Sequence, residues 1–153
     1  MRAFKPIGSL CSATDGSLSR DGREMDEYDT SGPTVVKRFM FVNRKAPYGT
    51  IYALESLEFA LAAAAFDQDV TVVFLDDGVF QLKKNQDTTA IGMKNFSKAY
   101  GALDEYDVKK IYVEKESLEA RGLSKADLVI PVEVLAADEL RDIMARQDMV
   151  FSS

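Results

Sequence analysis

From Val35 onward the chain reads as an α/β fold: three layers, α/β/α, around a five-stranded, mainly parallel sheet. Three observations predict it. Short runs of β-branched and aromatic residues alternate with longer segments that are apolar at helical spacing. Runs such as Val70-Thr71-Val72-Val73-Phe74-Leu75 are almost continuously apolar rather than alternating, as strands covered on both faces are. Strand-helix alternation joins parallel strands through right-handed crossovers, which lay helices over the sheet.

The elements follow in order. Val35–Val42 is β-rich, with its apolar half at the C-terminal end, and predicts the first strand. Asn43–Gly49 is a loop. Thr50–Phe66 is a helix, with Ile51, Leu54, Leu57, Leu61 and Ala65 on one line and Glu55 and Glu58 off it. Its small residues, Ala62–Ala65, allow a close approach to the sheet. Val70–Leu75 is the second strand, ended by Asp76-Asp77-Gly78. Thr88–Met93 and Ser97–Asp104 read as helical pieces, and Ile111–Val113 as the third strand. Ser117–Arg121 is a short helix stopped by Gly122, which can take the left-handed conformation. Leu128-Val129-Ile130 is the fourth strand, with Pro131 at its end. Ala136–Gln147 is a helix with Leu140, Ile143 and Met144 inward, Asp138 and Glu139 in its first turn and Arg146 near its last, complementing the helix dipole. Met149-Val150-Phe151 closes the series as a fifth strand.

Met1–Thr34 is different. It is rich in Ser, Gly, Asp and Arg, holds no sustained period, and predicts a disordered arm ahead of one domain at residues 35–153. Met25, followed by Asp26-Glu27-Tyr28-Asp29, offers an alternative start that would make residues 1–24 an upstream misreading. The other reading is a genuine extension.

Composition excludes whole classes of chemistry. The 153 residues contain no His, no Trp and one Cys. A Ser-His-Asp triad, a Cys-His pair, His-ligated zinc or haem, a CxxC redox motif and an intrachain disulfide are therefore absent. No cofactor and no metal are expected. Nineteen Lys and Arg against 25 Asp and Glu give a net charge of −6, which opposes direct nucleic-acid binding by phosphate neutralisation. The central apolar run Phe59–Phe66 is far shorter than the roughly 20 residues of a membrane span. The N-terminus lacks the apolar core of a secretory signal, so a cytoplasmic protein without membrane attachment is expected.

In open α/β sheets, ligands gather at the carboxyl ends of the strands. Asp76-Asp77, following an apolar strand, has two readings. An acidic pair could bind Mg²⁺ or accept a phosphoryl group in a stand-alone, receiver-like module. That module also needs an Asp ending the third strand and a Lys near the last, and neither is present. The other reading is a turn relaxed by Gly78. Ala46-Pro47-Tyr48-Gly49-Thr50 lacks both phosphate-loop and dinucleotide patterns and reads as a turn and cap for the helix after it. Cys11 has no predicted helix or cation cluster to activate it and is taken as incidental. Val79-Phe80-Gln81-Leu82, Met93, Phe96 and Tyr100 form either a folded-back core flap or a surface for a partner.

Several segments carry a family resemblance. Lys37–Thr50 (KRFMFVNRKAPYGT), Leu75–Leu82 (LDDGVFQL), Ile91–Phe96 (IGMKNF), Ile111-Tyr112-Val113 and Ser117–Leu123 (SLEARGL) together resemble the DsrF/TusC family of sulfur-relay subunits, with IGMKNF and RKAPYGT closer to DsrF. The resemblance covers about residues 35–153. It implies a non-catalytic subunit of a cytoplasmic DsrEFH-type sulfurtransferase complex in dissimilatory sulfur oxidation. Its partners would be DsrE-like and DsrH-like subunits in a heterohexamer, with sulfur passing onward to a DsrC-like acceptor. The alternative within the family is a TusC-like subunit serving 2-thiolation of tRNA. The family's carrier cysteine, on the DsrE-type subunit, ends the third strand. The matching stretch here is Val113-Glu114-Lys115-Glu116-Ser117, where Glu114 stands in the carrier position. In such an assembly Val79, Phe80, Leu82, Met93 and Phe96 become candidate subunit contacts.

Overall fold

A computed structural model describes residues 35–153. The readings of the N-terminal arm, of Met25 and of Cys11 fall outside the described residues. Five strands, β1 (Arg38–Asn43), β2 (Asp69–Phe74), β3 (Lys110–Glu114), β4 (Glu133–Leu135) and β5 (Met149–Ser152), form one sheet. Their order is β4-β3-β2-β1-β5, and every pairing is parallel. Helices α1 (Tyr52–Ala65), α2 (Ala102–Glu105), α3 (Lys115–Ala120) and α4 (Ala137–Met144) connect them, together with 3-10 turns at Asp76–Leu82, Thr89–Ile91, Ser97–Gly101 and Lys125–Asp127.

The topology dictates which face each connection covers. From β1 to β4 the chain steps in one direction across the sheet, so right-handed crossovers place α1, the 76–82 turn and α3 on one face. The step from β4 back to β5 runs the other way and puts α4 alone on the opposite face. The core divides accordingly. Phe41, Leu57, Val72, Phe74, Val79, Leu82, Tyr100, Leu103, Val113 and Leu118 form the larger cluster. Met40, Val42, Val73 and Leu140 form the smaller one, flanked by Ile143 and Met144. Alternation along β1 sorts Phe39 and Phe41 to the first face and Met40 and Val42 to the second.

Three expectations need correction. The fourth strand is not Leu128–Ile130 but Glu133–Leu135, on the far side of Pro131. Leu128 instead makes an isolated antiparallel bridge with Lys83, and the Val129 N–H donates to the Leu82 carbonyl at 2.7 Å. This stitches the segment to the 76–82 turn and spends its hydrogen bonds there. Helix α1 buries Ala53, Ser56, Leu57 and Ala60; of the expected Ile51-Leu54-Leu57-Leu61-Ala65 line only Leu57 is buried and Leu61 partly buried, while Ile51, Leu54 and Ala65 are exposed. Apart from Leu57 the buried side is made of small residues, and Ile51, Tyr52, Leu54 and Phe59 are left exposed. Thr50 does not cap α1: the cap position is Ile51, which makes no side-chain cap bond. The stop after α3 is as expected, with Gly122 left-handed at φ +62.

Two local devices hold β1 in place. At its start, the Arg38 guanidinium and backbone N–H donate to the Asp148 carboxylate at 2.8–3.1 Å, tying β1 to the residue that opens β5. At its end, Leu75 N–H donates to the Asn43 carbonyl at 2.9 Å, and Gly78 N–H to the Arg44 carbonyl at 3.0 Å. Gly78 sits so close that a Cβ there would lie 2.0 Å from the Asn43 carbonyl oxygen.

Gly78→Ala should therefore cost about 1–3 kcal/mol, because backbone rather than a flexible side chain blocks the methyl. Urea denaturation would show it, and an unchanged midpoint would refute the close approach. Asp148 gives a pH signature. Hydrogen bonds from the Arg38 side chain, then from its backbone, pull the Asp148 carboxyl down to about 2. A carboxyl lowered on folding contributes stability above its unfolded value of about 3.9 and loses it as pH falls through the folded value. Between pH ~4 and ~2 the urea midpoint should fall less steeply in Asp148→Asn than in the unaltered chain.

Candidate functional site

The carboxyl ends of β1, β2 and β3 meet in one polar corner. Glu114 ends β3 and occupies the cap position of α3 with extended backbone, φ −69 and ψ 128. This aims its half-buried carboxylate back over the first turn of α3, where Ser117 is buried. The Ser117 hydroxyl donates a short hydrogen bond to Glu114 Oε2. Its oxygen accepts from the Asp76 N–H at 2.8 Å. Ser117 thus bridges the end of β3 to the turn after β2, and both its donor and an acceptor site are in use.

The two neighbouring carboxylates are also engaged. Arg44, just beyond β1, pairs with Asp76 at 2.8 Å. Arg121, just beyond α3, pairs with Asp77 at 2.8 Å. Asp76 itself takes a left-handed backbone, φ +48, unusual for a residue with a Cβ. The acidic pair therefore works as a turn whose charges are matched by two guanidinium groups. Among the described residues no group of three or more His, Cys, Asp or Glu is placed to hold a metal ion.

Glu114, Arg44 and Asp76 line, with Val42, Leu75, Met144, Val150 and Ser152, a depression of about 370 Å³. It opens where the strand order reverses, with β5 returning beside β1, the place where α/β sheets form crevices.

A second group of motif residues comes together beside this corner. The Tyr48 hydroxyl donates to Asn95 Oδ1 at 3.2 Å, and its ring meets Phe96 edge-on at 5.6 Å. Asn95 Oδ1 also accepts from Ser97 N–H and Oγ, while its amide donates to the Gln86 carbonyl at 2.8 Å. Below them Gln81, 1% exposed, donates to the Lys45 carbonyl at 2.7 Å and accepts a short bond from the Tyr100 hydroxyl. Burial pushes the Tyr100 phenol far above its ordinary value, so it stays a neutral donor. The loops Arg44–Thr50 and Ile91–Phe96 are thereby fastened to each other and to the 76–82 turn.

The contact candidates separate. Val79 and Leu82 are fully buried in the core of this chain, so neither offers surface to a partner. They are the folded-back flap: the 3-10 turn gives two residues of Val79-Phe80-Gln81-Leu82 to the core and one, Gln81, to the buried polar network. Phe80 and Phe96 are half-buried, and Met93 is exposed. Sequence reading missed Ser117, Arg44 and Arg121. The signal for Ser117 was present, as a hydroxyl three residues after Glu114 faces the same helix end.

The DsrE/DsrF-like family matches residues 37–152, and the chain belongs to it. It is 54% identical over 132 aligned positions to "Intracellular sulfur oxidation protein DsrF" of Allochromatium vinosum, with 77% of this chain and 97% of that protein covered. A "Protein TusC homolog" of Pseudomonas aeruginosa is 38% identical over 113 positions, covering 74% of this chain and 95% of that protein. One from Vibrio parahaemolyticus is 32% identical over 117, covering 76% and 99%. The crystal structure of the ychN protein from E. coli superposes with a TM-score of 0.64 at 23% identity, over 78% of this chain and all of that one, and shows the same fold.

Ser117→Ala should strand the part-buried Asp76 N–H and release the Glu114 carboxylate, at a cost of about 1 kcal/mol. If its urea midpoint equals that of the unaltered chain, the bridge does not hold this corner.

Proposed function

We propose that this chain is a non-catalytic subunit of a DsrEFH-type sulfur relay in the cytoplasm, acting in sulfur oxidation. Its role is to position the subunit that carries sulfur as a cysteine persulfide. One observation carries the reading: Glu114, bonded to Ser117, stands where the family resemblance places the carrier thiol. A carboxylate forms no persulfide, and residues 35–153 contain no cysteine at all. DsrE-like and DsrH-like chains are the proposed partners, and a DsrC-like protein the acceptor reached through the assembly.

The TusC-like alternative, a relay towards tRNA thiolation, draws on relatives of 32% and 38% identity. The 54% match to a DsrF supports the oxidative branch.

Reconstitution with the DsrE-like and DsrH-like chains tests the role. Sulfur transfer to a DsrC-like acceptor, followed by mass spectrometry, should be unchanged by Cys11→Ser and lost when this chain is omitted. A substantial loss of transfer in Cys11→Ser would falsify the non-carrier role. Transfer that proceeds equally well without the chain would remove the positioning role.

A further inference from the structure

Helix α1 is built inside out. Its small residues face the sheet, and Tyr52, Phe59 and the residue capping its end, Phe66, are 46%, 64% and 76% exposed. These three aromatics recur every seven residues, so they form one ridge along the outer side of the helix. Beside the ridge lies a groove of about 420 Å³ between α1 and β5, walled by Phe39, Phe41, Phe59 and Phe151. Among the described residues β5 ends the sheet and its outer edge carries no partner strand, and Met149, Val150 and Phe151 are 42–44% exposed.

The apolar area is that of a monomer's largest patch. At about 200 Å² per aromatic side chain, Tyr52, Phe59, Phe66 and Phe151 together expose on the order of 450 Å². That lies within the range of the largest patch on a typical monomer, about 300–600 Å², patches that are often functional. Ile51, 65% exposed, and the rest of β5 carry it towards the roughly 800 Å² that one partner contributes to a stable interface.

Charge selects the occupant. Glu55 and Glu58 are the only charged residues of α1 itself; the cation placed on the ridge, Lys45, lies over the Tyr52 ring at the start of the helix, 4.4 Å from its centroid. A second copy packing α1 against α1 would set these carboxylates against each other, which is repulsive. A different chain with an apolar helix flanked by Lys or Arg would fill the groove and neutralise both. We propose that the α1 ridge with the adjoining β5 edge seats such a subunit. The inference rests on reading the chain as one member of a mixed assembly, and it moves the contact from the 79–96 segments to α1.

The test is co-purification and analytical ultracentrifugation of the full chain co-expressed with the DsrE-like and DsrH-like chains. Phe59→Asp and Phe66→Asp should each reduce recovery of the partner by about tenfold or more, as loss of an interface anchor does. Ile91→Asp, at a comparably exposed apolar residue outside this face, should leave recovery unchanged. Glu55→Lys combined with Glu58→Lys should also weaken the mixed complex, which the loss of apolar area alone would not explain. All variants lie on the surface, and an unaltered circular dichroism melt of the isolated chain confirms folding. A mixed complex that survives both aspartate variants overturns this inference and leaves the relay reading standing. A dimer of the chain alone that Phe59→Asp dissolves makes the occupant a second copy and overturns it as well. If the unaltered chain forms no mixed complex, the relay reading and this inference fall together.

Discussion

The closed contact between Gly78 and the Asn43 carbonyl is the constraint on which the rest of the molecule depends. It brings the turn after β2 against the end of β1 with no side chain between them. Two further backbone bonds, to the Asn43 and Arg44 carbonyls, lock that approach. With the turn fixed, Val79 and Leu82 drop into the core and Gln81 reaches the Lys45 carbonyl. Asp76 is carried into a left-handed conformation in which its N–H meets Ser117. The polar corner is thus a consequence of backbone packing. The strain at Asp76 is offset by the ion pair with Arg44 and the bond to Ser117.

Handedness of the crossovers supplies the second layer of cause. Because only the β4-to-β5 return covers the opposite face, eight-residue α4 does there what α1, α3 and the 76–82 turn share on the first. The smaller cluster around Met40, Val42 and Leu140 is the result. On the first face α1 turns mostly small residues, with Leu57, towards the sheet. Its aromatic Phe59 and the capping Phe66 are left in solvent. The β5 edge adds Phe151, stacked 5.2 Å from Phe41 but open on its other side.

Much of this was legible in the sequence because strands buried on both faces announce themselves. Val70–Leu75 and Phe39–Val42 have no polar alternation to mislead the eye, and the turn at Asp76-Asp77-Gly78 follows from chemistry local to three residues. What was not legible required knowing neighbours. Leu128–Ile130 looks like a strand and has a strand's composition, yet its partner is the distant Leu82–Lys83 stretch in an isolated bridge. Helix α1 was read by its large residues, a rule that fails when the sheet is close enough to prefer Ala53 and Ala60. Glu114 was found by position, but its bond to Ser117 and the two Arg–Asp pairs depend on contacts between elements 32 to 44 residues apart along the chain for the latter.

With Glu114 in place, those pairings use up the donors and cations around the end of β3. A reactive thiolate needs unspent donors or cations around it. Here the Ser117 hydroxyl is committed to the Glu114 carboxylate, and the Asp76 N–H to Ser117. Arg44 and Arg121 are committed to Asp76 and Asp77. The charged groups of the corner answer one another within the same chain, while Asn43 Oδ1, buried at the end of β1, has no hydrogen-bond partner among the described residues. Such a corner is suited to holding shape, and the apolar features left uncovered among the described residues are the aromatic ridge of α1 and the outer edge of β5.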